Sequence, residues 1–174
     1  MHRVIAVVLT VTVQLSLAAP LLAQQWSEHQ PADLGYRIEF PGRPTLSAED
    51  VPTLAGPIRM FIAEVGRGHE LFLVLASERR PHPATSGPEP ELERVANSYI
   101  ARNNRRVRED RRLSFGDAPA RRLVLEDPQQ GTVLTIVIVL GGTHMYQVSL
   151  TAPPGGESSL DAQRFFSSFA LVPR

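Results

Sequence analysis

"GTVLTIVIVLGGTHMYQVSLTA", residues 131–152, decides how this chain folds. Its first half, residues 131–140, is dense in valine and isoleucine. Branching at Cβ disfavours a helix there and suits a strand covered on both faces. The apolar run is also far too short for a membrane-spanning helix. Gly141-Gly142 then supplies a tight turn. The second half alternates: Tyr146, Val148 and Leu150 are expected inward, and Gln147, Ser149 and Thr151 outward. The stretch therefore reads as an antiparallel hairpin whose first strand is central.

Beyond it, PPGGE forms a loop and "SSLDAQRFFSSF" (158–169) reads as a helix. Ala162, Phe165, Phe166 and Phe169 make its apolar stripe, and Ser158 with Asp161 reads as a capping box. "ALVPR" adds a last short strand.

Upstream, residues 105–127 read as two strands around a turn at Gly116-Asp117. "PELERVANSYIARNN" (90–104) is the clearest helix. Leu92, Val95, Ala96, Tyr99 and Ile100 form one stripe, and Pro90, Glu91 and Glu93 suit its first turn. The proline-rich 78–90 segment is an exposed crossover loop. Residues 70–77 and 56–65 are strands joined by the GRGH turn at 66–69. Residues 41–55 hold three prolines and read as a loop, and 35–40 is the first strand. Trp26 lies in a lead-in and anchors it to the core.

The order is three strands, a helix, four strands, a helix. Strands joined by short turns pair antiparallel, and each helix needs a sheet face to cover. The expectation is an α+β fold: a central antiparallel β-sheet of about six or seven strands flanked by two main helices.

The chain has 174 residues, which suits one domain. Residues 1–23 read as a secretory signal peptide: Arg3, an apolar run from Val4 to Ala19, then a small-residue exit ending at Ala23. A retained anchor is the alternative, weakened by Thr10, Thr12, Gln14 and Ser16. That leaves 24–174 as a single domain bound for the periplasm or the medium. Its near-neutral charge argues against general affinity for nucleic acid.

There is no cysteine and no lysine; all 18 basic residues are arginine. Disulfides, thiol chemistry, thiolate metal sites, Schiff bases and Ser–Lys dyads are excluded. No Gly-x-Ser-x-Gly elbow, HExxH pair or Gly-Lys-Ser/Thr loop is present. Glu109-Asp110 and Glu126-Asp127 are adjacent and would point to opposite faces of a strand.

Two weaker features remain. Arginines crowd residues 102–122, and strand alternation would put Arg106, Arg108 and Arg112 on one face as a partner-binding surface. An acidic protein surface or anionic lipid would suit it, although such a run is more often a solvated face with cross-strand pairs. His69 and His144 both sit in glycine-flanked turns that could meet at one end of the sheet.

A strand ending in "FPGRP", a mid-chain amphipathic helix, "FGDAPARRLVLE" and a closing "FFSSFAL" occur together here. In this combination the chain resembles the PsbP/Mog1-like superfamily over residues 26–172, including small exported bacterial members. The resemblance implies an α/β/α sandwich around an antiparallel sheet. Members serve as accessory subunits of photosystem II, as a small-GTPase-release factor or as chaperones for secreted effectors. These roles share a shape and not a chemistry, so no site residues carry over.

The reading is an exported, non-enzymatic accessory or binding protein of the bacterial envelope that recognises a protein partner. It calls for no cofactor or metal. The alternative is a small-ligand or metal-binding protein, or an enzyme, whose site is assembled from loops 66–69, 78–90 and 141–144.

Overall fold

The computed structural model describes residues 25–53, 56–80 and 87–173. The signal-peptide reading, and residues 81–86 of the crossover loop with His82, lie outside the described residues.

The hairpin at 131–152 forms as its pattern dictates. Two strands, Thr132–Gly141 and His144–Ala152, pair antiparallel from Gly141↔His144 to Val133↔Ala152. They are β8 and β9 of the ten strands among the described residues. Gly142 turns between them at φ 55°, a left-handed backbone that glycine adopts without a Cβ penalty.

The remaining strands are β1 (Ser27–His29), β2 (Tyr36–Phe40), β3 (Thr45–Val51), β4 (Ile58–Arg67), β5 (Glu70–Glu78), β6 (Arg106–Phe115), β7 (Ala118–Asp127) and β10 (Ala170–Leu171). The helices are α1 (Pro88–Ile100) and α2 (Leu160–Ser168). The main sheet has seven strands in the order β3-β4-β5-β9-β8-β7-β6, every neighbour antiparallel. A small sheet, β1-β2-β10, lies apart from it.

Every residue of β8 from Val133 to Leu140 is buried because both faces are covered. Leu134, Ile136, Ile138 and Leu140 pack beneath Leu92, Val95 and Ala96 of α1. Val137 and Val139 belong to the opposite core, with Tyr36, Phe40, Phe72 and Phe165. Phe165 of α2 meets Phe40 and Phe72 at ring-centroid distances of 5.4 and 5.2 Å. Burying each such ring contributes about 1.5–3 kcal/mol. The layers are α1, the main sheet, and α2 with the small sheet: an α+β sandwich.

Four local expectations are corrected. Residues 45–51 are not loop but edge strand β3, in register with β4 from Thr45↔Glu64 to Val51↔Ile58. Its side chains are nearly all exposed, so no apolar alternation marks it, and Pro44 and Pro52 merely bracket it. The lead-in contains β1, so among the described residues five strands precede α1. Gln147 and Ser149 are both buried; Tyr99 of α1 reaches over β9 and donates its hydroxyl to Gln147 Oε1. The cap of α2 is Ser159, whose Oγ accepts from the Ala162 amide at 3.1 Å, one residue later than expected.

Candidate cleft at the turn end of the sheet

The β8–β9 turn, the β6–β7 turn, the end of β5 and the start of α1 all lie at one end of the main sheet. They surround an open cleft of about 740 Å³. Leu140, Tyr146, Phe115, Ala118 and Leu171 give it apolar walls, and Asp117, Thr143 and Arg79 bring polar groups.

Two contacts hold the cleft in shape. The buried Tyr146 hydroxyl donates to the Leu34 carbonyl at 2.6 Å, tying the main sheet to the chain entering β2. Gly141 makes the close packing possible: a Cβ there would lie 2.8 Å from Tyr146 Cε2 and 3.2 Å from the Leu171 methyls. Arg79 is anchored twice. Its amide donates to the Thr143 carbonyl at 2.7 Å, and its guanidinium holds Glu91 at 2.7 and 2.9 Å. The Glu91 side chain is only 4% exposed, so Arg79 neutralises a carboxylate that would otherwise be buried alone. Asp117 makes no ion pair among the described residues and is a charge left at the rim.

The histidines do not meet. His69 follows β4 at the end where Arg67 pairs with Glu70, whereas His144 faces Glu78 at the other end of β5. At about 3.3 Å per residue, the nine residues of β5 hold them roughly 25–30 Å apart. The site assembled from loops 66–69, 78–90 and 141–144 is therefore split: the first loop lies at the far end, whereas Arg79 and Pro88 of the second and Gly141, Gly142 and Thr143 of the third line the cleft. His144 itself contacts Thr143 Oγ1 through Nδ1 at 3.0 Å and stacks on Tyr146. Among the described residues, no three His, Asp or Glu side chains cluster as a metal site requires.

The three arginines do not share a face. A β-bulge between Val107 and Glu109 inserts Arg108 as an extra residue and reverses the alternation. Arg108 bridges Glu126 and Glu157, each at 3.2 Å, on the α2 side. Arg112 pairs with Glu89 of α1 at 2.9 Å, on the opposite side. Arg106 is exposed and in no ion pair among the described residues. Their neighbours are engaged as well: Arg121 with Asp110 at 2.6 Å, and Arg122 with Glu109 at 2.7 Å. The Arg121 hydrogen bonds hold the Asp110 carboxyl below its ordinary value. The arginine run is largely a self-neutralised, cross-strand lattice.

The sequence grouped loops 78–90 and 141–144 in one site but did not bring the β6–β7 turn to them. Gly116-Asp117 and Gly141-Gly142 were the local signals. Phe115, Asp117, Tyr146 and Leu171 read as ordinary strand, turn and core residues.

No family model matches the chain, and no curated protein matches it in sequence. A likeness appears in three dimensions. The solution structure of cyanobacterial PsbP (CyanoP) from Synechocystis sp. PCC 6803 superposes with a TM-score of 0.52. It is 12% identical, and the match covers 90% of this chain and 98% of that one. At that identity the likeness speaks for architecture alone. The seven-stranded antiparallel sheet, with α1 on one face and α2 on the other, is thus a PsbP-like fold.

Proposed function

We propose that this protein is an exported, non-enzymatic accessory protein of the bacterial envelope that binds a protein partner through the cleft at the turn end of its sheet. The observation that carries this reading is the cleft itself: open, walled by apolar side chains and rimmed by backbone from several separate segments. Such a site suits an apolar anchor residue on a partner, with rim groups fixing register. The PsbP-like fold is compatible with an accessory or binding role and names no partner. The arginines rank behind the cleft, because Arg108 and Arg112 are already paired within the chain.

The test is capture from the envelope of the native host, at low and high salt, with mass spectrometry of what accompanies the tagged protein. Thr143→Arg and Asp117→Arg should each abolish capture of a specific protein while the melting temperature holds. Replacing Arg106, Arg108 and Arg112 by alanine should leave most capture intact. Undiminished capture by both cleft variants would sink the reading. Export is tested separately, by fractionation and by the N-terminal residue of the mature chain.

A small-ligand role is the second reading, favoured by one observation. The cleft volume falls within the roughly 300–1,000 Å³ of typical ligand sites. A ligand that raises the melting temperature of the wild type but not of Thr143→Arg would move this reading to first place.

A further inference from the structure

One half of the main sheet carries an aliphatic face that no helix or strand among the described residues covers. The register places Ile58, Met60 and Ile62 of β4 and Leu71, Leu73 and Leu75 of β5 on the face shared with α1. That helix packs chiefly over β7 and β8, and its Tyr99 reaches as far as Gln147 of β9. None of the six belongs to either buried core; Leu71 is 37% exposed and the rest are half-buried. A contiguous apolar face of this kind, bordered by polar groups, marks an interaction surface.

The charges at its borders indicate what covers it. Glu49 of β3 and Glu64 of β4 share this face on one flank. Arg94 of α1 and Arg102 just beyond α1 stand on the other. Among the described residues none of the four makes an ion pair, although Arg102 lies over the Tyr99 ring. Glu49 and Arg94 lie towards the Ile58 end of the strands; Glu64 and Arg102 lie towards the other end.

We propose that a second copy of this chain docks on this face, related by a two-fold axis lying between the two sheets and parallel to their strands. That rotation keeps the ends of the strands together and exchanges the flanks. Arg94 then faces Glu49 of the second copy, and Arg102 faces its Glu64. A two-fold interface must be self-complementary, and this border is. The alternative axis, across the strands, would set α1 against α1 and acid against acid. The shape fits as well. A helix layer and a second packed sheet both stand about 10 Å above a sheet, so each α1 abuts the exposed β3 edge of the other copy. The pairing covers an edge strand that is otherwise open to unwanted association. This surface is separate from the cleft, and the proposal stands whether or not the cleft binds a partner.

The test is sedimentation velocity over a wide concentration series, on the protein expressed from its full sequence and purified as the host leaves it. The expected result is a dimer. Leu73→Glu should weaken it about a hundredfold by burying an unpaired charge. Arg94→Glu should weaken it about tenfold, and adding Glu49→Arg to that variant should restore it. Circular dichroism checks that each variant is folded; if Leu73→Glu is not, the two surface charge variants decide. A monomer at every concentration would overturn the proposal and leave the face to another occupant. So would a dimer indifferent to Leu73→Glu, or one that the charge exchange does not restore.

Discussion

Gly141 and Tyr146 show how much of this structure rests on single side chains. The Tyr146 ring cannot easily yield, because its hydroxyl is held by Leu34. Gly141→Ala should therefore cost about 1–3 kcal/mol through overpacking, read as a lower denaturation midpoint. Tyr146→Phe should cost about 1–2 kcal/mol by leaving the buried Leu34 carbonyl without a donor. His29 gives a pH signature. Its ring lies 5.9 and 6.1 Å from those of Tyr36 and Phe40, and burial lowers its pKa from 6.5. Protonation then favours the unfolded chain, which binds the proton more readily. Stability should be full above pH 6.5 and fall as pH drops through the lower, folded value. Melting curves between about pH 7.5 and 5 should show that slope in the wild type, and His29→Leu should remove the histidine contribution to it.

At the scale of elements, caps and bulges separate what periodicity reveals from what it hides. The stripes of α1 and α2 were legible because a helix repeats its buried face every three or four residues. The cap of α2 was legible to within one residue, since Ser158 and Ser159 are chemically alike and only backbone direction distinguishes them. Ser159→Ala should cost about 1 kcal/mol, whereas Ser158→Ala should change stability little. A Ser158→Ala effect equal to that of Ser159→Ala would contradict the assigned cap. The bulge in β6 had no local signal, and by reversing alternation it divided Arg106 and Arg108 from Arg112. Edge strand β3 was invisible for a related reason: a strand exposed on nearly every residue carries no apolar period.

At the scale of the molecule, two cores share one sheet. Leu92 and Leu123 pack on one face; Phe72 and Phe165 pack on the other, beside Trp26. Strands β7 and β8 each contribute side chains to both cores, so the two should melt together. Leu92→Ala should lower stability by about 2–5 kcal/mol. Trp26, the only tryptophan, sits on the far face, with its ring 6.4 Å from that of Phe72. Its fluorescence should still report the same shifted transition as far-ultraviolet circular dichroism. Separate transitions would mean that the two faces unfold independently.

The sequence by itself determined the local units: the hairpins, the strand pairings they imply, both helices and the buried strand at their centre. Turn chemistry and side-chain period act over a few residues, so one chain suffices to read them. The tertiary structure alone decided which units share space. It brought Tyr99 of α1 to Gln147 and Arg79 to the buried Glu91, gathered distant turns around one cleft and held His69 far from His144. Each of these depends on which element lies over a given face, a long-range outcome that the neighbouring residues in the chain do not encode.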